Sequence, residues 1–86
     1  MPELCRFYGI IIRMYFDDHA PPHFHAFYGE YQVLMDIETL TVLRGHLPPR
    51  AHGLVVEWAS LRQEELKDAW NKVKRMETPD RIPSLE

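Results

Sequence analysis

One cysteine, four glycines and no long apolar run set the first limits on this chain. A lone thiol, Cys5, cannot close an intrachain disulfide, which fits a reducing compartment. No stretch approaches the ~18 consecutive apolar residues that a membrane span needs. Met1-Pro2-Glu3 lacks the charged-then-apolar layout of a secretory leader. Basic charge is scarce too: 10 Lys+Arg stand against 13 Asp+Glu, for a net charge of −3. A general polyanion binder carries a basic patch or a high pI, so this balance counts against one, though a small local patch remains compatible with it. Repeats and low-complexity segments are missing. These absences lead to the expectation of a small, soluble, cytoplasmic protein without a membrane segment.

What is present amounts to a single domain, residues 1–86, with 45% hydrophobic residues, too apolar for a disordered chain. A domain of this size holds one modest core, so a partner or a homo-oligomer would add to its stability.

The segment Cys5 to Phe16 is rich in Ile, Tyr and Phe and reads as one strand. Its expected core face carries Tyr8, Ile10, Ile12 and Met14, which leaves Phe7, Ile11, Arg13 and Tyr15 on the other. His23 to Tyr28 and Tyr31 to Ile37 flank Gly29-Glu30, a two-residue turn with Gly first, the type II′ hairpin signature. That register sets Phe24, Ala26, Tyr28, Tyr31, Val33, Met35 and Ile37 on one apolar face. It sets His23 across from Asp36 and His25 across from Leu34 on the opposite face. Thr41 to Arg44 reads as a fourth strand. Beyond Pro48-Pro49 an apolar stripe through Val55, Trp58, Leu66, Trp70 and Val73 predicts one long helix over about 49–76, with a break near Arg62-Gln63 as the alternative. Residues 77–86 form an extended tail. The expected fold is therefore α+β: an antiparallel sheet of about four strands (residues 5–46) with a C-terminal helix across its apolar face.

The chemistry concentrates in Asp17-Asp18-His19-Ala20-Pro21-Pro22-His23-Phe24-His25. Alternate strand residues point the same way, so His23 and His25 can converge on one atom. With His19 from the loop and Asp36 from the facing strand (or Asp17), they form a ligand set suited to zinc or a similar divalent transition metal. A metal-free reading uses the same face for RNA cleavage. There His23 and His25 serve as acid and base, Arg13 neutralises the phosphate, Tyr15 donates or stacks, and Asp36 orients His23. The plain structural reading has the histidines merely occupying a polar sheet face, with Asp17 and Asp18 bonding turn amides. For His46 and His52 a capping or solvated role is expected, and for Trp58 and Trp70 a place in the core.

Phe7-Tyr8-Gly9-Ile10, Met14-Tyr15, Asp18 through Ala26, Tyr28-Gly29-Glu30 and Glu57-Trp58-Ala59 together resemble a family of small bacterial proteins, domain of unknown function 4160 (DUF4160). The likeness covers essentially the whole chain. It implies one half of a two-gene unit beside a second uncharacterised family, DUF2442, an arrangement similar to toxin–antitoxin modules, with a small antitoxin-type protein as partner. The resemblance assigns no catalytic residue. Two function classes follow: a toxin-like component whose histidine face acts on RNA or binds a metal, or a non-enzymatic protein-binding module whose histidines are structural.

Overall fold

The computed structural model describes residues 2–85. Five strands precede two helices: β1 (Glu3–Phe7), β2 (Ile10–Arg13), β3 (His23–Tyr28), β4 (Tyr31–Asp36), β5 (Val42–His46), α1 (Pro49–Leu61) and α2 (Gln63–Lys74). The strands form one antiparallel meander in the order β1-β2-β3-β4-β5. The α+β class holds, and among the described residues no helix is long and apolar enough to cross a membrane.

The β3–β4 hairpin has the expected register, with His23 opposite Asp36, His25 opposite Leu34 and Tyr28 opposite Tyr31. Gly29 opens its turn with φ +58, a backbone conformation that glycine adopts without strain. Phe24, Ala26, Val33, Met35 and Ile37 are buried as one face.

The first strand is not one strand. Tyr8 and Gly9, with φ of +49 and +80, fold it into the β1–β2 hairpin, so the sheet has five strands rather than four. The extra turn changes the phase of everything before it. Phe7, expected on the far face, is buried in the core, and Tyr8, expected in the core, is 59% exposed.

The long helix is also divided. Arg62 leaves helical geometry at φ −126, ψ 24, which realises the break named as the alternative. Gln63 secures the corner, its side-chain amide donating to the carbonyl oxygens of Ile37 (2.8 Å) and Glu38 (3.3 Å) at the end of β4. Pro49 occupies the first turn of α1, where its missing N–H leaves no helical bond unmade.

Both helices bury one face against the sheet: Ala51, Val55, Trp58 and Ala59 from α1, and Leu66, Ala69, Trp70 and Val73 from α2. Trp58 is the centre of this layer, 5.5 Å from the Phe7 ring and 6.0 Å, edge to face, from Phe24. Its indole N–H donates to the carbonyl of Pro83 (2.8 Å), which ties the tail to the core. Truncating a buried aromatic of this kind costs about 3–5 kcal/mol. Ile82 is buried beside it, and its N–H donates to the Leu4 carbonyl on the outer side of β1.

Candidate functional site

The second face of the sheet, on which the sequence sets His23 and His25, is covered. The segment between β2 and β3 folds back over it. Asp18 N donates to the Tyr15 carbonyl (3.1 Å) while the Asp18 carboxylate accepts from Tyr15 N (3.1 Å), a reciprocal turn that points the carboxylate inward. From outside, Lys74 Nζ donates to the Asp18 carbonyl (2.7 Å) and lies 5.4 Å from the Trp70 ring centroid. Trp70 in turn reaches the start of β3, 5.3 Å from the His23 ring. His23 and His25 therefore stand on the predicted face yet are only 6% and 7% exposed.

Both imidazoles converge on the Asp18 carboxylate. His25 Nε2 lies 3.3 and 3.2 Å from its two oxygens, and His23 Nε2 lies 3.6 Å from Oδ1. One ligand atom from each of the three residues falls within 4.8 Å of the others. His23 Nδ1 is 2.8 Å from the Pro21 carbonyl oxygen, which can only accept, so that nitrogen carries the hydrogen. A neutral His23 then turns the lone pair of Nε2 toward a carboxylate oxygen. Two electron-rich atoms face each other, an arrangement relieved by a cation between them or by a proton. His25 Nδ1 meets the Gln32 side-chain amide at 3.4 Å, and rotation of that amide lets it serve either protonation form of the ring.

Burial pushes the His25 imidazole below its ordinary value, against the pull of Asp18, which favours the charged ring; His23 adds a smaller downward push. Neutral imidazole is the form that ligates metal. Divalent zinc-like ions take N and O ligands at about 2.0–2.2 Å, which places neighbouring ligand atoms roughly 3–3.6 Å apart. The contacts to Asp18 lie in that range. The carbonyl of Pro21 and the amide of Gln32 stand behind the rings, in the position where outer partners orient histidines in metal sites. Tyr15 packs its ring against His25 at 4.6 Å, nearly perpendicular.

Of the remaining residues singled out in the sequence, Arg13 lies opposite His25 in the β2–β3 ladder, while His19 and Asp36 stand apart from the centre. His19 is exposed on the lip of the hollow above the centre and does not join the three-ligand group. Asp36 pairs with His23 in register, but its carboxylate accepts from the amides of Glu38 (2.7 Å) and Thr39 (3.0 Å), closing the turn after β4. It forms no bond to the His23 ring, and Asp18 takes that place. The Arg13 guanidinium lies 5.7 Å from the Phe27 ring centroid, and its buried Nε has no hydrogen-bond partner.

A groove opens over the centre from two sides. One hollow, of about 470 Å³, is lined by Asp17, Asp18, His23, Leu34 and Arg44 among others; a second, of about 300 Å³, is lined by His25, Gln32, Leu34, Arg44 and Gly45. Asp18, Gln32 and Arg44 were not singled out as site residues. The paired aspartates before the histidines were a signal for Asp18; nothing local marked Arg44.

Searches of curated proteins and of solved structures returned no match. The sequence profile of a family described as a domain of unknown function, DUF4160, matches residues 9–71, a span that holds Asp18, both strand histidines and Arg44. The chain belongs to the DUF4160 family.

Proposed function

We propose that this protein is a cytoplasmic component of a toxin–antitoxin-like two-gene module, with a divalent transition-metal centre of Asp18, His23 and His25 as its working part and RNA as its target. The observation that carries the metal reading is the convergence of three ligand atoms, one carboxylate and two imidazoles, in a buried pocket. The outer partners on Pro21 and Gln32 support it, as does the neutral state favoured at His25. Two histidines and one carboxylate leave coordination positions free, the pattern of a working rather than a purely structural site. A divalent ion held there supplies Lewis acidity and lowers the pKa of a bound water. The chain's own contribution is to orient both rings, to exclude bulk water with the 14–22 segment and Trp70, and to give access through the groove.

The two-gene setting and a small antitoxin-type partner rest on the family likeness. Metal-free acid–base cleavage fits less well, because both imidazoles are aimed at one shared carboxylate instead of flanking an open phosphate site. A protein-binding role keeps one specific support: β5 is an edge strand that exposes Val42 and Leu43.

The test is metal content together with growth. Untagged protein purified without chelator is expected to carry close to one transition-metal ion per chain, and Asp18→Asn or a His23→Ala/His25→Ala double substitution to carry none while staying folded. Expression of the parent alone is expected to arrest growth with loss of RNA integrity. A metal-free parent that neither binds added zinc nor gains thermal stability from it would sink the metal centre. Metal-loaded parent without any effect on growth or RNA would sink the toxin reading and leave the binding module.

A further inference from the structure

A further feature of this groove has its origin in an irregularity of β5. Val42 pairs with Met35, whose side chain is in the core. Had the ladder continued in step, Leu43 would face Leu34 and Arg44 would face Val33, on the buried face. The register shifts instead: Arg44 pairs with Leu34, Gly45 with Val33 and His46 with Gln32. A one-residue shift moves a side chain to the other side of a sheet, and bulges beside functional sites commonly re-aim a side chain. Gly45 makes the shift possible. Its φ is +78, and a Cβ there would lie 2.2 Å from the Gln32 carbonyl oxygen, so no other residue fits without backbone movement.

The result is a cross-strand row, His25–Leu34–Arg44, that runs from the centre to the edge of the sheet. Arg44 lines both hollows that open over the centre. Among the described residues it forms no ion pair, although most of the chain's other arginines do. Arg44 is the cationic side chain in the lining of the larger hollow, two strands from His25 and in the same lining as the carboxylates of Asp17 and Asp18.

We propose that Arg44 is the anion receptor of the groove, and that the ligand it takes is a phosphoryl group seated beside the Asp18–His23–His25 centre. This rests on the reading of the groove as the working site, and it narrows the ligand. A guanidinium offers two parallel N–H donors that match two oxygens of a phosphate. Asp17 and Asp18 repel an anion from the same hollow, so binding is tighter when a divalent ion offsets the Asp18 charge. The phosphoryl group can belong to an RNA backbone or to a free phosphate or monoester.

The experiment is a titration of zinc-loaded and chelator-treated protein with inorganic phosphate and with a short single-stranded oligoribonucleotide, followed by amide chemical shifts of β4 and β5 and by calorimetry. Arg44→Ala is compared with Arg44→Lys and with Arg50→Ala, which removes the same charge from α1. Loss of one charge-assisted bidentate contact is expected to weaken binding about tenfold or more in Arg44→Ala. Arg44→Lys should recover part of it, and Arg50→Ala should match the parent. Equal binding by the parent and Arg44→Ala, or no response to either probe in either metal state, overturns the assignment. Phosphate binding that depends on Arg44 in a protein that takes up no metal upholds Arg44 and overturns the metal centre, so the two readings fail separately. An oligonucleotide that binds far tighter than phosphate, with a steep salt dependence, marks a nucleic-acid backbone as the source; equal affinities mark a free phosphate.

Discussion

His25 is kept neutral mainly by burial, against the pull of Asp18. A folded-state pKa below the ordinary 6.5 means that the unfolded chain binds the proton more readily. Stability of the metal-free protein should therefore be level above about pH 6.5 and fall as the pH drops through and below that value. Melting curves from pH 8 to pH 5 on parent and His25→Gln check this, and the slope should shrink in the variant. Cys5 is buried too. It is 2% exposed, and burial pushes its thiol up, so little thiolate forms at neutral pH. Alkylation by iodoacetamide should be slow in the native protein and fast once the chain is unfolded.

At the scale of elements, three glycines with different surroundings give graded outcomes. Gly45→Ala places a Cβ against the Gln32 carbonyl at positive φ and should cost more than about 2 kcal/mol in denaturant melts, through both the φ penalty and the clash. Gly29→Ala meets nothing within 4 Å and bears only the φ penalty, about 1 kcal/mol. Gly53→Ala, on the exposed side of α1 with open space around it, should raise stability by roughly 0.5–1 kcal/mol. The same elements show where a sequence can be read. The β3–β4 hairpin was legible because an apolar alternation and a Gly-first turn agree on one register. The β1–β2 turn was not, because Tyr8 sits in a left-handed conformation usually signalled by Asn or Asp before Gly. The helix break at Arg62 carries no Gly or Pro, and the apolar stripe runs straight through it; the bonds from Gln63 to the end of β4 decide it. In β3, period two set His23 and His25 on one face of the sheet, as the register shows. Asp18 arrives by the fold-back of a loop and Arg44 by a bulge, and neither is a property of the local pattern.

At the scale of the whole molecule, the tail is part of the fold. Ile82 is buried, Pro83 accepts from Trp58, and the Ile82 amide donates to β1. Removing residues 79–86 gives up a buried isoleucine and the Trp58 bond, and should lower stability by about 3 kcal/mol, read as a reduced melting temperature. The centre itself should survive, since Asp18, His23, His25 and Trp70 all precede the cut, and metal uptake by the shortened chain would show it. The tail also gives the sheet a direction. At one border the Ile82 amide bonds to the Leu4 carbonyl of β1; at the other, β5 exposes Val42 and Leu43. Removing residues 79–86 also bares the Leu4 carbonyl, so the shortened chain offers backbone groups at both borders of the sheet, a condition that favours edge-to-edge association and is read as concentration-dependent sedimentation.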